Sequence, residues 1–129
     1  MDLVLPDSSF YINCARAGLD PFGALAAHAD VWDFATCGMV VLEVCRGRRD
    51  PAVLQRFREH FAIMTFIATG SSIWERAAQL AWSLDRQGRV IPAQDILIAA
   101  HALASNATVL TPDAHFREIP GLSVLEKLS

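Results

Sequence analysis

The chain has 129 residues, 53% hydrophobic and 19% charged, with a formal net charge of −3. That length and composition fit one compact domain, residues 1–129, with a real hydrophobic core, and exclude a chain dominated by disordered tails. The acidic balance excludes a protein that coats nucleic acid through bulk basic charge, but not an enzyme that holds phosphodiesters through metal ions.

In chain order, "DLVLP" predicts a short first strand, and Asp7, Ser8 and Ser9 supply helix-start chemistry for the segment after it. "DPFGALAAHA" opens a second helix with Asp20 as cap and Pro21 at the first helical position. "VWDFAT" predicts a strand, and "MVVLEVCRG" a helix ending near Gly47. "DPAVLQRFREHF" repeats the Asp-Pro start signal, and "IMTFIA" predicts the next strand. Further on, Ile73, Ala77, Leu80 and Leu84 share one side of a helix that Gly88 stops. "IPAQDILIAAHAL" is then a helix entered through Pro92, while "ATVLTPD" and "LSVLEKL" predict closing strands. Alternating helices and nearly continuous apolar strands predict an α/β protein, a three-layer α/β/α sandwich around a mostly parallel sheet.

Cys14, Cys37 and Cys45 contain no CxxC pair and cannot all be paired, which points to a reducing, cytoplasmic setting rather than a disulfide scaffold. The opening "MDLVLPDSSF" lacks the basic segment of a signal peptide, and no run approaches the ~18 apolar residues of a membrane span. No membrane partner is expected.

Four carboxylates stand out. Ligands of open parallel sheets bind beyond the carboxyl ends of the strands, where Asp7 and Asp113 are predicted to project. Asp95 lies in the first turn of an apolar helix, and Glu43 interrupts the apolar run "MVVLEVC". Each residue has a structural explanation on its own: helix cap, turn, dipole partner, or a side chain reaching for solvent. Convergence would demand more. At ~5 Å and an effective dielectric of about 20, each ionised pair repels by roughly 3 kcal/mol. A few such pairs rival a domain's whole stability of about 5–15 kcal/mol, so the cluster needs protons or cations. An all-oxygen donor set suits Mg²⁺ or Mn²⁺, ions that activate water and stabilise the leaving oxygen in phosphodiester cleavage. Ala99 and Ala102, on the face of Asp95, and Gly47, one turn after Glu43, leave room nearby.

The segments "LPDSSFYI", "VVLEVCRG", "IPAQDILIAAHAL" and "ATVLTPDAHFREIPGL" together resemble, in order and spacing, the PIN-domain proteins, specifically VapC-like toxins of toxin–antitoxin pairs. The resemblance spans nearly the whole chain. It implies that the family's acidic residues fall on Asp7, Glu43, Asp95 and Asp113, and its recurring hydroxyl on Thr111. It further implies a Mg²⁺- or Mn²⁺-dependent endoribonuclease acting on RNA, silenced by a cognate antitoxin and commonly homodimeric. Pro112 departs from the pattern, since Arg or Asn is frequent there. The competing expectation is a PIN-like fold that has lost catalysis and serves as a binding or scaffold module.

Among other residues, Ser8 and Ser9 are candidates to orient Asp7, with helix capping the alternative. Arg46, one turn from Glu43, is a candidate to hold phosphate or to pair with that carboxylate. Arg48 and Arg49 read as a solvated helix end, with contact to RNA or antitoxin as the alternative. His101 is expected to be a hydrogen-bonded packing residue and His115 a surface one. Trp82, opposite the apolar stripe, marks either an interface or a site covered by a neighbouring helix.

Overall fold

The computed structural model describes residues 1–129. Five strands, β1 (Asp2–Pro6), β2 (Trp32–Cys37), β3 (Thr65–Ile67), β4 (Thr108–Leu110) and β5 (Ser123–Leu125), form one sheet in the order β3-β2-β1-β4-β5. All four pairings are parallel. The helices are α1 (Ser8–Arg16), α2 (Pro21–Ala26), α3 (Gly38–Arg46), α4 (Pro51–Ala62), α5 (Ser71–Arg86) and α6 (Ala93–Ser105). A 3₁₀ turn, Ala114–Glu118, connects β4 to β5.

The chain runs outward from β1 to β2 and β3, then returns to the other side of β1 as β4 and β5. Right-handed crossovers therefore place α1–α4 on one face and α5–α6 on the other, which is the expected α/β/α layering. The strand order reverses beside β1, so the crevice between the ends of β1 and β4 is the fold's natural ligand position. In the register there, Pro6 pairs with Leu110, which brings the following residues Asp7 and Thr111 side by side.

Local chemistry accounts for most boundaries. Asp20 and Asp50 accept from the backbone N–H groups of Phe22 (3.1 Å) and Ala52 (2.9 Å), capping α2 and α4 at their Asp-Pro signals. Gly88, at φ 75°, and Asn106, at φ 52°, take the left-handed conformations that follow the ends of α5 and α6. β3 is shorter than the apolar run "IMTFIA" suggests. It is an edge strand, and Ile63 (83% exposed) and Phe66 (58% exposed) face solvent. All three cysteines are free. No helix is long and apolar enough to cross a membrane.

In α6 every residue from Ile96 to Ala102 is buried. His101 is among them, its Nδ1 2.7 Å from the Leu97 carbonyl oxygen and its Nε2 2.6 Å from the Thr69 hydroxyl. A carbonyl only accepts, so Nδ1 carries the proton and Nε2 accepts from Thr69. Burial holds the imidazole pKa below its ordinary value. This group's contribution to stability is thus present above the free imidazole value of about 6.5 and is lost as pH falls through it. Thr69→Val, which strands Nε2, is expected to cost about 1–3 kcal/mol in urea unfolding at pH 7.5; an unchanged midpoint would refute the assignment. Trp82 is 56% exposed with the Arg86 guanidinium 5.1 Å from its ring centroid, so no helix of the chain covers it.

Candidate metal centre

Beyond the ends of β1 and β4 lies a cleft of about 280 Å³ lined by Asp7, Glu43, Asp95 and Asp113. Each acid arrives by a different route. Asp7 follows β1 and caps α1; Asp113 follows β4 and caps the 3₁₀ turn. Contact between α3 and α6 brings Glu43 toward Asp95.

Asp7 is the most tightly held. Its Oδ1 accepts from the Ser8 backbone N–H (2.7 Å), while Oδ2 accepts from the hydroxyls of Ser9 (2.7 Å) and Thr111 (3.1 Å). Each hydroxyl has one proton and both are drawn to Oδ2, so the 3.2 Å contact between the Ser9 and Thr111 oxygens is a consequence of that convergence. Thr111 also accepts from the Asp113 backbone N–H at 3.0 Å, tying the two strand-end acids to one side chain. Pro112 is exposed and leaves this link intact. Glu43 accepts from the Ser8 hydroxyl at 2.7 Å. Adjacent serines thus divide their work: Ser8 orients Glu43 and Ser9 orients Asp7.

Asp95 carries no protein hydrogen bond of its own to offset its position. Its pKa is pushed up to about 6, first by desolvation and then by Asp7, Asp113 and Glu43, with His115 opposing. The carboxylates of Asp95 and Asp113 and a ring nitrogen of His115 present ligand atoms all within 4.8 Å of one another. His115 lies 3.3 Å from Asp113 Oδ1 and is exposed. No Lys or Arg pairs with any of the four acids; the one Arg–carboxylate pair is Arg117 with Glu126, elsewhere. Oxygen donors, mutual repulsion and the lack of an ion-paired Lys or Arg fit a hard divalent ion, with one imidazole as an additional donor.

Arg46 does not join this group. It is the last residue of α3, exposed, and makes no ion pair with Glu43, whose carboxylate turns to Ser8 instead. Arg16 lines the cleft in its place, with Asn13 and Ile12. The signal for these residues lies in the spacing: Ser9, Asn13 and Arg16 fall within about 60° of one another at 3.6 residues per turn. Ala99 and Ala102 are fully buried core residues rather than cleft lining. A Cβ at Gly47 would meet only the Val44 carbonyl oxygen at an ordinary 3.7 Å, so no close approach depends on this glycine.

A family model described as PIN domain matches residues 4–122. No curated protein matches the sequence. Among solved structures, the chain is similar to VapBC2 from Rickettsia felis bound to a promoter DNA fragment. The TM-score is 0.80 at 23% identity, covering 95% of this chain and 97% of that one. DNA-bound VapBC from Salmonella typhimurium gives 0.80 at 18% identity, with 97% and 98% covered. FitAcB from Neisseria gonorrhoeae gives 0.73 at 20% identity, with 95% and 96% covered. At these identities the likeness is one of fold.

Proposed function

The chain belongs to the PIN-domain family, and from that premise we propose that it is a metal-dependent endoribonuclease, the toxin of a toxin–antitoxin pair. The observation that carries this reading is the set of acids Asp7, Glu43, Asp95 and Asp113 around one cleft with no protein cation paired to them. Mg²⁺ or Mn²⁺ bound there supplies Lewis acidity, a water nucleophile at neutral pH and charge for the leaving oxygen. The chain's own residues fix the donors in advance. Ser9 and Thr111 hold Asp7, Ser8 holds Glu43, and Asp113 is anchored through its backbone to Thr111. Preorganisation of this kind spares reorganisation during the reaction.

The antitoxin partner is proposed from the likeness to VapBC complexes, one of the similar chains being described as part of a toxin–antitoxin complex from Klebsiella pneumoniae. A homodimer is proposed on the family resemblance, and exposed Trp74 and Trp82 on α5 offer apolar surface to a second copy.

The test is to incubate purified, partner-free protein with cellular RNA and Mn²⁺ or Mg²⁺, with and without chelator. Cleavage abolished by chelator is expected. Cleavage that persists in chelator would overturn the metal assignment, and no cleavage by folded protein would favour the non-catalytic binding module. Metal affinity should also depend on pH. Ligation requires the ionised carboxylate, so binding measured by calorimetry is expected to weaken as pH falls below about 6, the metal-free value for Asp95. Constant affinity between pH 7.5 and 5 would count against Asp95 as a ligand.

A further inference from the structure

A second cleft continues from the acidic one. It measures about 400 Å³, shares Ile12, Arg16 and Glu43 with the first, and adds Ala15, Gly47 and Arg48. Along this path the charge reverses. Four carboxylates face one guanidinium in the first cleft, whereas Glu43 alone faces Arg16 and Arg48 in the second. Neither arginine forms an ion pair, although both share a cleft with Glu43. Arg48 Nε is buried with no hydrogen-bond partner, and its guanidinium carbon stands 5.4 Å from the Phe57 ring centroid. Phe57 thus steadies the guanidinium of a residue that lines this cleft, and the Nε–H donor is left without a partner.

We propose that Arg16 and Arg48 hold the RNA phosphate next to the scissile one, so that the strand leaves the acidic centre between α1 and the end of α3. This assignment rests on the ribonuclease reading and gives its substrate a direction. A polyanion with one phosphate at a cation-filled carboxylate cluster needs separate positive charge for the next, because the acids are already engaged. Guanidinium forks match phosphate oxygens two at a time. An acidic peptide is disfavoured, since Arg16 also borders the four carboxylates, which repel a ligand that brings no metal ion with it.

The experiment compares wild type, Arg16→Ala, Arg48→Ala, the double variant and Arg48→Lys on a fluorescent RNA oligonucleotide with Mn²⁺. Each Ala substitution is expected to raise KM about tenfold, with kcat nearly unchanged. The slope of log(kcat/KM) against log salt should flatten by about 0.7 per arginine removed. Arg48→Lys keeps the charge and should retain the slope, which separates lost contact from lost fold. A neutral methylphosphonate at the flanking position should impair wild type and leave the double variant without further loss. Unchanged KM and salt slope in the Ala variants, with wild type active, would overturn this assignment alone. Variants that handle RNA normally but lose affinity for a polyglutamate peptide would also overturn it, in favour of a protein contact. A wild type that cleaves no RNA would overturn the ribonuclease reading and this assignment with it.

Discussion

Asp95→Asn is expected to lower RNA cleavage by about a thousandfold or more while raising the thermal stability of the metal-free protein. On the proposed metal site, the first half follows from removing a direct oxygen donor, when even partners behind the ligands cost about 10–100-fold. The second half follows from the direction of its pKa. The folded carboxyl titrates at about 6 against an ordinary 3.8, so the fold favours its protonated form. Between those values the folded state binds more protons than the unfolded one, and stability declines as pH rises through about 6. At pH 7.5 the ionised group is a net liability that a cation relieves and an amide removes. Cleavage assays and melting curves in chelator, read side by side, check both halves. A lower melting temperature for Asp95→Asn would show that the acid is stabilised by something other than metal. Opposite movement of activity and stability is the usual signature of a site built for function.

On the proposed metal site, Thr111→Val is expected to cost about 10–100-fold in metal affinity and cleavage with little change in fold, because the side chain keeps its shape and loses only its hydroxyl. That hydroxyl donates to Asp7 Oδ2 and accepts from the Asp113 N–H, so its loss loosens two of the acids together. Ser9→Ala should act on the same oxygen. The double variant is therefore expected to lose less than the product of the single effects, as groups with a shared partner do. Calorimetric Mn²⁺ titration beside the cleavage assay measures this. A change below threefold for Thr111→Val would mean that the backbone alone fixes Asp7.

Much of the fold is legible in the sequence because its signals are local. The Asp-Pro starts of α2 and α4, Gly88 after α5 and the apolar face of α6 each act within a turn or two of chain. The bounds of β3 are less legible, since apolarity there reflects an exposed edge: Phe66 is apolar yet 58% exposed, so the hydrophobic run does not measure strand length. In the site, Asp7 and Asp113 are readable from their place after strands. What each serine orients is not, because neighbouring helical residues diverge by about 100° and only the packing of α1 against α3 decides that Ser8 meets Glu43. Arg46 illustrates the opposite hazard. Nearness to Glu43 in sequence suggests a pairing, but Arg46 is exposed at the helix end, and Arg16, on another helix, stands at the cleft instead.

The tie between Asp7 and Thr111 spans 104 residues, nearly the length of the chain. During synthesis Asp7 precedes Thr111 by those 104 residues, so the two cannot meet until β4 and the residues after it have left the ribosome. Long-range parallel pairing is also slow to form. The cleft that gathers the four acids therefore forms only when β4 closes on β1, so the site is among the last features of the domain to be assembled.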